Sequence, residues 1–210
     1  MRIGWLLGWA VPEEWFASFA RGAFPAAEHV FFESAADSMR RLNEAGPFDW
    51  IAGYSLGSLL LLRTFPRPTA RVALLAPIFA FPAEANLGGR IPRAQLRQLA
   101  RNLRRNPTAA LADFYARAGL DLPQGGARCP QRACPDALHL TSVLEWGLEQ
   151  LETIRVEPPL PAGWRAWCGA EDPLLDAGQL CALAPGITPI AGATHHPAAL
   201  IRAFAKEIAE

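Results

Sequence analysis

The sequence has almost no lysine and no surplus of charge of either sign. Its 20 basic residues are balanced by 20 acidic residues, and Lys206 is the only lysine. A chain without a basic surplus has no bulk attraction for nucleic acid or for an anionic membrane surface. We therefore expect neither partner, and electrostatic recognition has to come from a local group of side chains.

Cysteine is also scarce, and its spacing indicates no metal centre. Cys129 and Cys134 are separated by four residues with His139 nearby, so a metal clip or a disulfide is conceivable. No second cysteine pair completes a zinc pattern, so we expect no metal. Cys168 and Cys181 stand in apolar runs and are expected to be small buried hydrophobes.

The sequence lacks the roughly 18 consecutive apolar residues of a membrane-spanning helix. Residues 1–10 are apolar, but glycines interrupt them and no convincing cleavage site follows, so a buried strand is expected rather than a signal peptide. We expect a soluble cytoplasmic protein. With 210 residues of which 51% are hydrophobic, the chain can bury one sizeable core.

Short apolar runs alternate with helical segments at both ends of the chain, which predicts an α/β fold with a mostly parallel sheet and helices on both faces. Strands are predicted at residues 2–8, 29–32, 48–52, 71–77, 164–169 and 186–190. In the middle the strands disappear, and helices are predicted at residues 92–105, 108–118 and 135–154. We interpret residues 1–80 and 160–210 as the core, and residues 81–159 as a helical lid inserted over the carboxyl edge of the sheet.

A Gly-X-Ser-X-Gly pattern at residues 53–57 joins an apolar run to a leucine-rich helical run. This strand, sharp turn and helix context is typical of a nucleophile elbow, in which glycines make room for a strained serine. Ser55 is therefore the candidate nucleophile. Tyr54, directly before it, is expected to contact the substrate.

A serine nucleophile needs a base and a carboxylate that orients the base, and both are expected on loops after later strands. Asp172 is the favoured acid, with Glu171 and Asp176 as competitors; a cap on a helix starting at Pro173 is its structural alternative. Adjacent histidines, His195 and His196, supply the base. His195 is better placed on the loop, and His196 is expected at a helix N-terminus.

The oxyanion of an acyl-transfer intermediate needs two hydrogen-bond donors. The backbone N–H of Leu56, at the start of the elbow helix, is one candidate. The second is the backbone N–H of Trp9, in the loop after the first strand. The Trp9 side chain is expected to wall the acyl pocket or simply to pack at the strand end.

Residues 92–105 combine an apolar face with a basic one, which predicts an amphipathic lid helix. The basic face carries Arg93, Arg97, Arg101, Arg104 and Arg105. A solvated polar face is one interpretation. The other is that Arg93, Arg97, Arg101 and Arg104 bind an acidic carrier protein or its phosphate, because guanidinium groups suit phosphate.

Together these residues resemble the α/β-hydrolase superfamily and, more narrowly, a short form of the pimeloyl-acyl-carrier-protein methyl ester esterases of biotin synthesis. The narrower resemblance rests on residues 8–10 with Trp15, and on residues 53–57, 146–151, 169–172 and 195–197. The sequence departs from the long form of this family at two points. It has Leu7 where the long form usually has histidine, and it begins at what would be the third strand of the full fold. The sheet is thus expected to be truncated at its N-terminal edge, which a homodimer would cover.

The resemblance implies a serine carboxylesterase that removes a methyl group from a carrier-bound dicarboxylate ester. It implies Ser55, Asp172 and His195 as the triad, Trp9 and Leu56 as oxyanion donors, and no cofactor. A general short-chain esterase or a thioesterase would use the same residues. The alternative from a different functional class is a catalytically silent hydrolase fold that binds a carrier protein.

Overall fold

The computed structural model describes residues 1–64, 70–122 and 136–209. Cys129 and Cys134, with their metal and disulfide alternatives, and the side chain of His139 lie outside the described residues. Among the described residues, no helix combines the length and the apolar character needed to span a bilayer.

The eight described strands are β1 (Arg2–Leu6), β2 (Glu28–Phe32), β3 (Trp50–Tyr54), β4 (Arg71–Leu75), β5 (Ala80–Pro82), β6 (Gly88–Ile91), β7 (Arg165–Gly169) and β8 (Ile187–Ile190). Six of them form the main parallel sheet, in the order β2-β1-β3-β4-β7-β8. The predicted parallel sheet is confirmed. β1 lies inside the sheet, and β2 forms the edge nearest the N-terminal strands. A homodimer of the expected kind would therefore cover β2.

Helices cover both faces of this sheet, which explains why its strands are almost continuously apolar. The helices are α1 (Glu13–Ala23), α2 (Ser38–Ala45), α3 (Leu56–Thr64), α4 (Arg93–Arg105), α5 (Pro107–Ala118), α6 (Asp136–Thr153), α7 (Ala177–Leu183) and α8 (Pro197–Ala209). On one face, the Trp5 ring packs against Phe16 of α1 and Phe204 of α8. On the other, Gly4 faces Leu42 of α2.

Strands β5 and β6 correct the expectation that residues 81–159 contain no strands. They pair in parallel as a separate two-stranded sheet. A Cβ on Gly89 would lie 2.0 Å from the carbonyl oxygen of Phe81, so this close pairing requires glycine. Strands of three and four residues are too short for an alternating pattern to reveal them.

A second correction concerns the segment after β7. No helix begins at Pro173; α7 begins at Ala177, and the side chain of Asp176 caps it by accepting the N–H of Gln179 at 3.0 Å. The parallel strands β3, β7 and β8 all end at the same edge of the sheet. Ser55, Asp172 and His195 follow these three strands, so the fold brings distant parts of the chain to one edge.

Candidate active site

Ser55 stands on a sharp turn between β3 and α3. Its φ is 53°, in the left-handed region that a serine rarely adopts. A Cβ on Gly57 would lie 2.0 Å from the carbonyl oxygen of Leu6, so only glycine fits there. The turn is anchored by the N–H of Ser55, which donates to the Leu75 carbonyl at 2.9 Å. The result is a strained, nearly buried serine at the N-terminus of a helix.

The structure brings Ser55, His195 and Asp172 into one chain of hydrogen bonds. The Oγ of Ser55 lies 3.0 Å from Nε2 of His195. On the other side of the ring, Nδ1 lies 2.7 Å from Oδ2 of Asp172. His195 is 2% exposed and Asp172 is completely buried. A base thus lies within reach of the serine, and a carboxylate lies within reach of the base.

Hydrogen bonding fixes the orientation of the imidazole. An ionised carboxylate only accepts, so Nδ1 of His195 carries the proton and donates it to Asp172. Nε2 is then left with a lone pair directed at the Ser55 hydroxyl. The second oxygen of Asp172, Oδ1, accepts the backbone N–H groups of Leu174 and Leu175 at 2.8 and 3.1 Å. The buried carboxylate therefore has three donors, as a buried charge requires.

The competing residues lie elsewhere. Glu171 is exposed, and Asp176 caps α7 and pairs with Arg90 at 3.3 Å. Nε2 of His196 lies 2.7 Å from Oδ1 of Asp121, in the loop after α5. The alternative role of Asp172 as a helix cap holds only in part. Its carboxylate does accept two backbone N–H groups, but no helix follows it directly.

Tyr54 is a buried residue beneath the site, and its predicted contact with substrate stays a prediction. Its side chain is 1% exposed, and its hydroxyl donates to the backbone carbonyl of His195 at 2.7 Å. Burial, and secondarily the Asp172 carboxylate, raise the pKa of Tyr54 well above its usual value. The phenol stays protonated, so it keeps donating to the histidine loop as pH rises. Tyr54 is a support of the His195 loop.

The loop after β1 lies directly beside the nucleophile. A Cβ on Gly8 would lie 3.2 Å from the Cβ of Ser55, so this loop and the serine are in close contact. Ala10 has a φ of 57°, which turns the chain sharply after Trp9. Leu56, the other predicted donor, is the first residue of α3. Both predicted oxyanion donors are therefore on segments that flank Ser55.

The Trp9 side chain is 4% exposed and is held by the helices above it. Its indole N–H donates to the Leu144 carbonyl of α6 at 2.8 Å, and its ring meets Phe114 of α5 edge-on at 4.7 Å. A Cβ on Gly147 would lie only 2.4 Å from the indole. Trp9 thus anchors the loop to α5 and α6 at the strand end.

Comparisons with known proteins identify the fold. No model of a known protein family matches the sequence, and no curated protein matches it significantly. Solved structures do match. An esterase from Exiguobacterium antarcticum has a TM-score of 0.68 at 9% identity, covering 100% of this chain and 90% of its own. The chain has the α/β-hydrolase fold.

Two further structures share this fold. The type II thioesterase BorB of the borrelidin cluster has a TM-score of 0.58 at 16% identity, with 99% of this chain and 91% of that chain covered. BioG from Haemophilus influenzae has a TM-score of 0.55 at 16% identity, with 92% of this chain and 88% of that chain covered. At these identities the likeness establishes the α/β-hydrolase fold.

Above the sheet of this α/β-hydrolase fold, α4 and α5 border a cleft of about 160 Å³. Its apolar lining includes Phe81, Leu99, Phe114 and Leu174. Two of these reach the site: Phe114 touches Trp9, and the N–H of Leu174 bonds to Asp172. The cleft is thus lined by neighbours of Trp9 and Asp172, but not by Ser55, His195 or Asp172 themselves.

The arginines of α4 are exposed, but two of them are already paired. Arg97 bonds to Glu152 at 2.7 Å and Arg104 to Glu145 at 2.6 Å, both carboxylates belonging to α6. Arg101 donates to Gln98 on its own helix, and the backbone N–H of Arg93 bonds to Glu84. The Arg104–Glu145 and Arg97–Glu152 pairs tie α4 to α6. The sequence does not reveal these pairs, because their partners are 41 and 55 residues apart.

Sequence reasoning missed Arg90 near the site, and it included Gly147 only within the motif at residues 146–151, without its contact with Trp9. A glycine inside an otherwise helical pattern is the signal for Gly147, since it often marks a close contact. Arg90 has no such signal. Among the described residues, no group of three or more His, Cys, Asp or Glu side chains is placed to hold a metal ion.

Proposed function

We propose that this protein is a serine carboxylesterase that hydrolyses an acyl ester. The observation that carries the proposal is the unbroken chain from Ser55 through His195 to buried Asp172, with both hydrogen bonds at 3.0 Å or less. A buried carboxylate, an imidazole and a strained serine joined in this order are the arrangement that activates a serine nucleophile.

The reaction begins when Nε2 of His195 takes the hydroxyl proton of Ser55, and Oγ attacks the ester carbonyl carbon. Asp172 holds the Nδ1–H of His195 and stabilises the imidazolium that forms. The imidazolium then gives its proton to the departing alkoxide, which leaves as the alcohol. Water, deprotonated by His195, hydrolyses the acyl-enzyme and restores Ser55.

Negative charge on the carbonyl oxygen is stabilised by the N–H groups of Leu56 and Trp9 in this proposal. Leu56 stands at the N-terminus of α3, where backbone N–H groups have no helical acceptor and the helix dipole favours negative charge. Trp9 lies on the loop in contact with Ser55. One donor of this kind contributes about 10²–10³ in kcat in serine hydrolases.

For the substrate, we propose the methyl ester of pimeloyl-acyl-carrier protein, hydrolysed in the cytoplasm during biotin synthesis. The support is the resemblance of the sequence motifs, together with the exposed arginines of α4, whose side chains at Arg97 and Arg104 are 61% and 66% exposed despite their ion pairs. In this proposal α4, α5 and α6 act as the lid, and the carrier docks on α4. No cofactor takes part.

Labelling with a fluorophosphonate probe tests the serine chemistry. The wild-type protein is expected to be labelled on Ser55, and Ser55→Ala is expected to lose both labelling and ester hydrolysis. Absence of labelling in the folded wild type would favour a catalytically silent, carrier-binding fold. A rate comparison of pimeloyl-carrier methyl ester, the corresponding thioester and short p-nitrophenyl esters then separates the proposed substrate from a thioesterase or a general esterase.

A further inference from the structure

Arg90, on β6, reaches across to the loop that carries Asp172. Its Nη1 donates to the backbone carbonyl of Asp172 at 3.2 Å, and its Nη2 pairs with Oδ2 of Asp176 at 3.3 Å. One guanidinium thus bonds to both ends of the five-residue segment 172–176. The planar fork of arginine suits such a double contact, which a lysine could make only in part.

The backbone of β6 also forms hydrogen bonds with segment 172–176. The N–H of Arg90 donates to the Leu174 carbonyl at 2.9 Å, and the N–H of Asp176 donates to the Gly88 carbonyl at 2.7 Å. Gly89 and Leu175 form an isolated antiparallel bridge between these hydrogen bonds. Residues 174–176 are therefore paired with β6, and Arg90 lies 82 residues before Asp172 in the chain.

These hydrogen bonds with β6 fix the orientation of the Asp172 carboxylate. Oδ1 accepts the N–H groups of Leu174 and Leu175, and these are the residues that β6 holds. Oδ2 is thereby left facing Nδ1 of His195. If segment 172–176 relaxes, the two N–H groups move, and the carboxylate turns away from the imidazole with them.

We propose that Arg90 is a positioning residue, which holds the Asp172 loop in the conformation that orients His195. It touches neither His195 nor Ser55 in the contacts described above, so it acts through Asp172. The inference rests on the proposed esterase function for its kinetic consequences, but its geometric consequence, an oriented Asp172–His195 pair, exists whether or not esters are the substrate.

The test compares Arg90→Gln and Arg90→Lys with the wild type and with Arg40→Gln. Arg40 is a matched control, because it also pairs with the N-cap aspartate of a helix, Asp37 of α2, and with Glu44. With p-nitrophenyl acetate, Arg90→Gln is expected to lower kcat about tenfold or more with little change in KM, since small misplacements of catalytic groups cost up to about 10² in rate. Arg90→Lys restores part of the loss, and Arg40→Gln leaves kcat unchanged.

A double-mutant cycle separates positioning from general stability. In an Asp172→Asn background, Arg90→Gln is expected to lower kcat less than twofold, because the group it orients is already lost. A merely structural role would lower kcat by the same factor in both backgrounds. Equal factors, or a kcat for Arg90→Gln equal to that of Arg40→Gln, would overturn the proposal.

A spectroscopic measurement keeps the proposal independent of activity. The proton between Nδ1 of His195 and Asp172 is expected to give a downfield proton NMR resonance that disappears in Asp172→Asn. Arg90→Gln is expected to broaden or shift this resonance, and Arg40→Gln is not. If the wild type hydrolyses no ester while Arg90→Gln perturbs the resonance, the esterase proposal fails and the role of Arg90 stands; an unperturbed resonance with normal hydrolysis overturns the role of Arg90.

Discussion

Replacing Gly147 by alanine is expected to damage catalysis far more than stability. A Cβ at this position in α6 would lie 2.4 Å from the indole Cδ1 of Trp9 and 3.3 Å from Cδ2 of Leu56. Both contacts involve residues whose backbone N–H groups we propose as the oxyanion donors. The extra methyl group therefore pushes on the oxyanion site from above.

The size of the displacement follows from the distances. Normal carbon contacts begin at about 3.5 Å, so a contact of 2.4 Å demands a movement of about 1 Å. Moving α6 away does not resolve the clash cheaply, because the Leu144 carbonyl on the same helix accepts the Trp9 indole N–H at 2.8 Å. That hydrogen bond would lengthen past its normal limit of about 3.2 Å. Trp9 and its loop must shift instead.

The two effects on stability partly cancel. Overpacking costs about 1–3 kcal/mol, while alanine is favoured over glycine inside a helix by about 1 kcal/mol. The free energy of unfolding should thus fall by about 0–2 kcal/mol. A 1 Å misplacement, in contrast, costs about 10² in rate, so kcat on p-nitrophenyl acetate is expected to fall by about that factor with little change in KM.

Steady-state kinetics and thermal unfolding measure these effects together. Gly22→Ala is the matched control, since a Cβ on this α1 residue would meet nothing within 4 Å. It is expected to keep the wild-type kcat and to unfold at a slightly higher temperature. A Gly147→Ala protein with wild-type kcat would refute the reasoning, because the clash would then have been absorbed without moving the donors.

Three further predictions follow from other contacts of the site and the lid helices. Tyr54→Phe leaves the buried His195 carbonyl without its donor, which should cost about 1–3 kcal/mol in unfolding free energy and lower kcat; an unchanged Tm and kcat would contradict it. Reversing Arg97 and Arg101 to Glu should slow hydrolysis of a carrier-linked ester but not of a short free ester, whereas an equal loss on both, or none on either, would exclude carrier docking on α4. Burial raises the pKa of Cys168 to about 12, so at neutral pH its protonated thiol should resist iodoacetamide in the folded protein and react after denaturation, as mass mapping would show.

Sequence reasoning predicted the sheet well because its signals are local. Each strand of the main sheet is a short apolar run next to turn residues, and the fold class is confirmed by the observed parallel sheet. The glycines around Ser55 carried information for the same reason, since Gly57 has room for no side chain beside β1. The order of Ser55, Asp172 and His195 also placed the three residues correctly after β3, β7 and β8, while their catalytic role stays a prediction.

What the sequence could not reveal depends on contacts between distant segments. β5 and β6 are too short to show a period, and their pairing depends on backbone approach at Gly89. The hydrogen bond of Tyr54 to the His195 carbonyl was not foreseen, because the position of Tyr54 in the motif does not show which way its side chain points. The pairing of Arg97 with Glu152 likewise joins two helices whose packing no local pattern encodes.

The segment between β4 and β7 contacts the candidate site at two separate points. Through Gly147 and Leu144, α6 holds Trp9 and with it one proposed oxyanion donor. Through Arg90, β6 holds the loop that orients Asp172. Since α4 begins directly after β6, a displacement of α4 pulls on the strand that grips Asp172. Deleting α4, α5 and α6 is therefore expected to abolish the proposed esterase activity, because these contacts hold the Asp172 loop and the Trp9 loop in place.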